Sequence, residues 1–494
     1  MPFLTELLAH YHGALLIEGN AEKLPIASVT ADSRQVTPGA LFMAIRGTHT
    51  DGTAYAMDAV ERGAVAVVCD FDGKLALPKS VVMVKVENAR MAHAKFAGAF
   101  YVPQPPYITA VTGTDGKTST VDFFRQLWQM SYENAASIGT LGVIGPQAEN
   151  QLGALNTTPD PTLLHQTLRT LGAGQCKYVA IEASSHGLDQ YRLDGVNLTA
   201  AAFTNLSRDH LDYHGTLESY FAAKLRLFAE LLPAGATAVL NADDAKFRRI
   251  TEVCEKRGVR VISYGERGKD FRVKKITPTL TGLAVQADIM GASQHFMLHM
   301  IGGFQVMNAL AALGLYTGCG GSIEEGLKHL PHLHSVPGRM DKVASHPNGA
   351  PIFVDYAHTP AALGNVLKTM RAHVKGKLSV VFGCGGDRDK GKRPEMGKAA
   401  SEFADAIIVT DDNPRSEDPS QIRAEVMAGA PKAKNVGDRA EAIAFAIKSL
   451  HKDDVLLIAG KGHEKTQIVG NRTLPFDDGE VARMAVKLCE RKAN

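Results

Sequence analysis

A chain of 494 residues with 45% hydrophobic and 21% charged residues is too long for one core and has no bias towards disorder, so two to four globular domains are expected. Lysine plus arginine (54) nearly balances aspartate plus glutamate (52), and a formal net charge of +2 gives no global case for attraction to nucleic acid or membrane, so no such partner is expected. No apolar run has the length of a membrane span, and the six cysteines (69, 176, 254, 319, 384, 489) form no Cys-x-x-Cys pair, which argues for buried free thiols and against a zinc knuckle or disulfide framework.

The opening MPFLTELLAHYHG lacks the basic n-region and long apolar h-region of a secretory signal, so a cytoplasmic protein is expected. Residues 1–103 mix short apolar runs such as AVAVVCD with turns, and they end in YVPQPPY, whose prolines suit a linker. From Tyr107, β-rich runs (YITAVTG, YVAIEAS, AAAFTNL, ATAVLNADD) alternate with helical stretches, the pattern of a parallel sheet with crossover helices. FRVKKITPTLTGLAVQADI alternates as antiparallel strands do, and VMNALAALGLYTG reads as a helix closed by glycine. After HSVPGRM, the runs PIFVDYAHTP, KLSVVFGCGG, DAIIVTDDNP and DVLLIAGKGHE each pass from a β-branched strand into a polar loop. The predicted architecture is α/β with three domains, 1–103, 104–334 and 335–494: the central one a P-loop domain with a mostly parallel sheet, the last Rossmann-like. In such sheets ligands sit outside the carboxyl ends of the strands, where these four loops begin.

YITAVTGTDGKTSTVDFFRQLW reads as a strand, a glycine-bearing turn, and Lys117 and Thr118 opening a helix. Backbone N–H groups at that helix start, with Lys117, suit a triphosphate, and the Thr118 hydroxyl suits Mg²⁺. The general P-loop pattern fails at one position, where Val111 replaces glycine; a mere tight turn is the alternative. Glu182 in AIEASSHGLDQYR follows a strand and reads either as a ligand sharing that metal or as a helix-capping or surface residue. NLSRDHLDYHG gathers Arg208, Asp209, His210, Asp212 and His214, as a site or as a satisfied polar loop. In LESYFAAKLRLFAELL the apolar stripe Leu217, Phe221, Phe228, Leu231 includes Lys224. A snorkelling lysine is the plain reading. The sharper one is a desolvated amine of lowered pKa, available for reactions such as carbamate formation with CO₂. In DNPRSED, Pro414 stiffens the turn that presents Arg415, a planar fork suited to carboxylate or phosphate.

GTDGKTS, NTTPD, EASSHGL, SRDHLDYHG, the AAKLRLF lysine, PGRM, DYAHTP, GCGGDRDKGKRP, DNPR and GKGHE occur in the order found in the Mur ligases. From about ADSR to GKGHE the chain resembles that family, in the branch that adds the third amino acid to the peptidoglycan precursor. The resemblance implies a UDP-precursor-binding domain, a central ATPase and an amino-acid-binding domain. It further implies an ATP-dependent ligase that phosphorylates the D-glutamate γ-carboxylate of UDP-MurNAc-L-Ala-D-Glu and joins it to meso-diaminopimelate, acting as a monomer on small-molecule substrates in cell-wall synthesis.

Carried onto this chain, the resemblance places ATP on Gly113, Thr114, Asp115, Gly116, Lys117, Thr118 and Ser119, completed by Asn308, Arg339, Asp355 and His358 through domain closure. Lys117, His210 and Lys224 are the implied catalytic residues. Thr118 and Glu182 would serve one Mg²⁺, and His210 and a carbamate on Lys224 a second. Ala31, Ser33, Thr48, His49, Thr50, Asn156, Thr157, Thr158, Ser184, Gln190 and Arg192 fall where the family binds the UDP precursor. Arg388, Asp412, Asn413, Pro414, Arg415, Gly460 and Glu464 fall in the diaminopimelate pocket, with Arg415 on the carboxylate that lysine lacks. Two positions depart from the family: Gln305 and Asp115 each stand where asparagine is commoner. Three other functions compete: a lysine-adding relative, opposed by Arg415; a folylpolyglutamate synthetase, opposed by NTTPD and EASSHGLDQYR; and a P-loop switch protein, which leaves Lys224 and the DNPR loop without roles.

Overall fold

The computed structural model describes residues 1–494 except 48–49, 74, 147–155, 280–281 and 494. The chain forms two compact units: 1–273 with 288–292 and 307–329, and 274–287 with 293–306 and 330–494.

The first unit holds two sheets. In the N-terminal sheet Ser28–Thr30, Ala40–Met43, Ala64–Asp70 and Val82–Val86 run parallel, and Leu15–Glu18 closes one edge antiparallel. The second sheet follows the predicted β-rich runs. Tyr107–Thr112 lies between Tyr178–Glu182 and Leu198–Phe203, parallel to both, and the parallel order continues outward through Ala135–Gly139 on one side and Thr237–Asn241 and Arg260–Gly265 on the other. The strands are buried on both faces, as apolar runs covered by helices must be. The first strand of this sheet sits between later ones, so the strand order reverses here, and outside the carboxyl ends at such a reversal is where open α/β sheets bind ligands.

The expected helix around Lys224 forms over Leu217–Arg226 and continues as a π-helical turn over Leu227–Leu231, in which Leu232 N–H donates to Leu227 O at 3.0 Å. Phe221, Lys224 and Phe228 are buried as the stripe predicts, whereas Leu217 is 41% exposed. Leu217 is the first residue of the helix, next to the Thr216 cap, and lies beyond the core that the later positions reach.

The N-terminal sheet meets the helix Pro161–Ala173 through buried polar contacts. Thr162 Oγ1 donates to Val29 O (3.3 Å) and shares a hydrogen bond with His93 Nε2 (2.8 Å). His165 is fully buried beside it, and neither of its ring nitrogens has a hydrogen-bond partner among the described residues. Burial lowers the pKa of His93 to about 4 and of His165 to about 3. The unfolded chain therefore binds these protons more tightly, and stability is expected to fall as pH drops from about 6.5 towards 4. Urea midpoints measured across that range check this, and His165→Leu is expected to flatten the slope.

In the second unit, Pro351–Asp355, Val455–Ala459, Leu378–Phe382, Ala406–Val409 and Lys434–Asn435 form a parallel sheet in that spatial order, with Asp341–Ser345 antiparallel at one edge. The four strand-to-loop runs read from the sequence thus end at one edge. A hairpin, Thr466–Val469 with Arg472–Pro475, follows the last of these loops. Five cysteines are buried, Cys489 is half-buried, and all six are free thiols. Among the described residues no helix is long and apolar enough to cross a membrane.

Candidate active site

The strand Tyr107–Thr112 ends in a turn with Gly113 at φ 147° and Gly116 at φ 83°, and Lys117 opens the helix Lys117–Met130. A Cβ at Gly116 would stand 2.3 Å from Asn308 Oδ1, so glycine is required both by the left-handed backbone and by the asparagine packed on it. Asn308, brought in by the helix Phe304–Gly318, is thereby part of the phosphate loop's wall. Asp115 is exposed and acts through its backbone: its N–H donates to Asn205 Oδ1 (2.9 Å), and its carbonyl accepts from Thr204 Oγ1 (2.6 Å) and Asn205 Nδ2 (3.2 Å). Lys117 curls over the loop, with Nζ donating to Gly113 O (3.0 Å) and Thr114 O (2.7 Å). Thr118 is half-buried in the first helical turn and Ser119 is buried behind it.

Lys224 reaches the same carbonyl. Its Nζ donates to Gly113 O at 2.6 Å and lies 4.3 Å from the centre of the Tyr220 ring, with the residue 1% exposed. Burial, then the nearby Lys117 cation, lowers its pKa to about 6. The snorkelling reading is therefore excluded: the amine is inside, against the phosphate loop. Tyr220 links the neighbours, its hydroxyl 3.2 Å from Thr114 Oγ1 and its ring 6.0 Å from that of His210. His210 is itself exposed, with Nε2 3.4 Å from Asp209 Oδ2 and its ring edge-on to His186.

Glu182 ends the strand beside the P-loop strand, in register with Val111. It is 1% exposed and accepts from Thr140 N–H (2.9 Å) and Thr140 Oγ1 (3.3 Å). Among the described residues no three His, Cys, Asp or Glu side chains gather closely enough to hold a metal ion. One buried carboxylate and one hydroxyl at a phosphate loop nevertheless fit Mg²⁺, which takes few protein oxygens and completes its shell with water and substrate phosphates.

On the same edge, Thr158 Oγ1 donates to Glu182 O (2.6 Å) and pairs with Ser184 Oγ (3.0 Å), which caps the helix Ser185–Asp189. Arg192 donates to Thr158 O (2.6 Å) and Gln190 Oε1 (2.7 Å), and Thr157 Oγ1 lies 3.3 Å from Thr140 Oγ1. Four expected precursor residues, Thr158, Ser184, Gln190 and Arg192, thus form one network, while Asn156 is exposed nearby. Ala31, Ser33 and Thr50 line a separate open cavity of about 560 Å³. Thr48 and His49 lie outside the described residues.

In the second unit Asp355 is buried at the end of its strand, accepting from Met340 N–H (2.7 Å) and Ala357 N–H (2.8 Å); burial raises its pKa. The Arg339 guanidinium lies 4.7 Å from the Tyr356 ring centre, and His358 Nδ1 donates to Tyr356 O (2.9 Å). The DNPR loop is more tightly made. Asn413 Nδ2 donates to Glu464 Oε2 (3.0 Å), Asn413 Oδ1 accepts from Ile468 N–H (2.9 Å), and buried Asp412 has its pKa raised by desolvation. Arg415 has φ 51°, and its backbone is pinned by Ile468 O (3.1 Å) and Gly470 N–H (2.7 Å). Its Nη1 donates to Gly386 O (2.8 Å), leaving the fork directed by the GCGGDRD loop. Gly460 packs on Asp412, and Arg388 is exposed one residue beyond Asp387.

The chain matches, in order, the Mur ligase family catalytic domain over residues 25–103, the Mur ligase middle domain over 111–316 and the Mur ligase glutamate ligase domain over 338–462. A Mesorhizobium japonicum protein named UDP-N-acetylmuramoyl-L-alanyl-D-glutamate--2,6-diaminopimelate ligase is 47% identical over 477 residues, 96% of this chain and 98% of that one. The chain belongs to the Mur ligase family. An Agrobacterium fabrum protein of the same name is 47% identical over 485 residues, 98% of this chain and 96% of its own. A solved structure of a ligase of that name is 33% identical with a TM-score of 0.74, covering 96% of this chain and 97% of that one. The fold is shared with MurF from Thermotoga maritima in complex with ADP, at 19% identity, a TM-score of 0.60, and 95% and 99% coverage.

In this Mur ligase several site residues carry no sequence signal of their own. Lys461 is fully buried in the GKGHE loop, donating to Asn413 Oδ1 (3.2 Å) and Glu464 Oε2 (3.1 Å), and so ties together two expected diaminopimelate residues. Asn205 and Thr204 brace the phosphate loop, and Arg393 braces the loops around Arg415. Each lies inside a stretch the sequence singled out, Lys461 in GKGHE, Arg393 in GCGGDRDKGKRP, and Thr204 and Asn205 in AAAFTNL, but nothing in those stretches names the group that each one holds.

Proposed function

We propose that this Mur ligase adds meso-2,6-diaminopimelate to UDP-N-acetylmuramoyl-L-alanyl-D-glutamate with ATP, in cytoplasmic peptidoglycan precursor synthesis. Identity of 47% over nearly the whole chain with ligases of that name carries the reading. The geometry supports it by offering a phosphate loop with a buried lysine on its carbonyl and, in the other unit, a stiffened arginine at a strand's carboxyl end.

Carboxylates are poor electrophiles, so the reaction is built in two steps. An oxygen of the D-glutamate γ-carboxylate attacks the terminal phosphorus of ATP; the bond to ADP breaks and an acyl phosphate forms. The neutral amine of diaminopimelate then attacks the acyl carbon, phosphate leaves, and the amine proton passes to solvent. The loop N–H groups from Gly113 to Ser119 and Lys117 bind the phosphates and stabilise the charge that moves during transfer. Thr118 and Glu182 are the residues that would hold one Mg²⁺, and His210 with Lys224 as a carbamate a second. When bound, these ions would screen phosphate charge and polarise the transferring group. Asn308, Arg339, Asp355 and His358 are assigned to the nucleotide. The precursor is assigned to the Thr158, Ser184, Gln190 and Arg192 network, with Asn156 and Thr157, and to the cavity at Ala31, Ser33 and Thr50. Arg388, Asn413, Arg415, Gly460 and Glu464 are assigned to diaminopimelate. The corresponding domains are 1–103 for the precursor, 104–334 for ATP and 335–494 for the amino acid.

Phosphate release with ATP, Mg²⁺ and the UDP precursor, comparing meso-diaminopimelate with L-lysine and weighing the product, tests this. Turnover with diaminopimelate is expected. An amide product with lysine alone would overturn the substrate assignment, and no product with either would overturn the ligase.

A further inference from the structure

The loops 383–389 and 410–418 are stitched together by side chains to which the proposed reaction gives no role. Arg393 is fully buried. Its Nη1 donates to Glu417 Oε2 (3.0 Å) and Glu425 Oε2 (2.7 Å), and its Nη2 to Glu417 Oε1 (2.8 Å) and Gly385 O (3.3 Å). Glu417 Oε1 also accepts from Asp387 N–H (2.6 Å). Ser416 closes the circuit, donating to Asp387 through Oγ (2.6 Å) and N–H (3.2 Å).

The circuit holds two backbone conformations that few side chains adopt. Asp387, just before Arg388, has φ 53°, and Arg415, just before Ser416, has φ 51°. Such residues persist only where their surroundings over-determine them. The two loops also touch directly: a Cβ at Gly386 would stand 1.9 Å from Pro414 O, so neither loop can shift alone. A buried ion pair is a poor source of stability, since apolar residues often replace one without loss. A bidentate guanidinium does something apolar packing cannot, which is to fix carboxylates in direction as well as distance.

We propose that Arg393 is a positioning residue for amino-acid specificity, acting through Glu417, Asp387 and Ser416 to hold Arg388 and Arg415 where a second substrate carboxylate is received. This rests on the diaminopimelate reading above. Arg393 touches no substrate atom in this account; it sets the register of two loops that do.

The test is steady-state kinetics of Arg393→Met, Arg393→Lys and Ser416→Ala beside the unaltered ligase, with heat denaturation to report folding. In Arg393→Met the KM for diaminopimelate is expected to rise about tenfold or more, with the diaminopimelate-to-lysine preference falling by a similar factor. The KM values for ATP and the UDP precursor are expected to stay unchanged. Arg393→Lys keeps the charge without the fork and is expected to fall between. A folded Arg393→Met with unchanged diaminopimelate KM and preference overturns the proposal, as does a parallel rise in all three KM values. Should both Arg393 variants fail to fold, Ser416→Ala decides from the exposed end of the circuit: a weakened preference supports the proposal, and an unchanged one overturns it. Failure of the function reading is separately visible, because the unaltered protein would then show no diaminopimelate-dependent turnover, and the proposal would fall with it.

Discussion

Replacing Lys224 with methionine is expected to cut turnover by about a hundredfold or more while leaving the chain at least as stable. The side chain is 1% exposed, and its Nζ bonds Gly113 O at 2.6 Å, beside the Lys117 ammonium on the same carbonyl. Burial and that neighbour lower its pKa from 10.5 to about 6. The unfolded chain holds the proton more tightly, so this group's contribution to stability falls as pH drops from about 10.5 to about 6 and is level below. Methionine removes that slope and keeps the stem's packing.

Above about pH 6 the amine is mostly neutral and its lone pair is available to CO₂. In the proposed carbamate the N–C bond would form, one proton would leave to solvent, and a neutral amine would become an anionic oxygen donor at the phosphate loop. Turnover is therefore expected to fall in CO₂-purged buffer, to recover with bicarbonate, and to fall below about pH 6 as the ammonium form returns. Steady-state assays of both proteins with and without bicarbonate, beside thermal melts, check all of this. Full activity in Lys224→Met would remove the residue from the chemistry.

Where a single stretch of chain carried both the structural and the chemical signal, the sequence was readable. The strand, glycine turn and helix at Tyr107–Met130 are local, and the four strand-to-loop runs of the second unit each announce their own carboxyl end. Lys224 was legible for the same reason: a charge within an apolar stripe contradicts its surroundings, and the contradiction is visible without the fold. The π-helical turn after Arg226 was not, because it changes register inside a pattern that ordinary helical spacing also fits. Long-range partners were hidden more deeply. Buried Arg439 pairs with Asp478 at 2.7 Å from 39 residues away, and nothing near either residue names the other. The requirement for glycine at 386 comes from Pro414 O, on a different strand's loop, and nothing next to 386 in the chain shows it. The chain passes between the compact units at 273/274, 287/288, 292/293, 306/307 and 329/330, and the repeated exchange from 274 to 306 has no marker in the sequence.

Arg415→Asn is expected to lower kcat/KM for diaminopimelate by about ten- to over a hundredfold, the worth of a charge-assisted pair of about 1.5 to 3 kcal/mol. Asparagine is the informative replacement because the position has φ 51°, which asparagine tolerates and a β-branched residue does not. The backbone bonds to Ile468 O and from Gly470 N–H need no particular side chain, so the loop should keep its path. With L-lysine as substrate the same change should do little or help, since a guanidinium held by Gly386 O with no carboxylate to meet is a penalty that lysine alone bears. The ratio of the two kcat/KM values therefore decides more than either value. Collapse of the ratio with KM for ATP unchanged assigns Arg415 to the distal carboxylate. Equal loss against both amino acids would make its contribution architectural, a brace between the 383–389 loop and the hairpin, and recognition would then fall to Arg388 and Asn413.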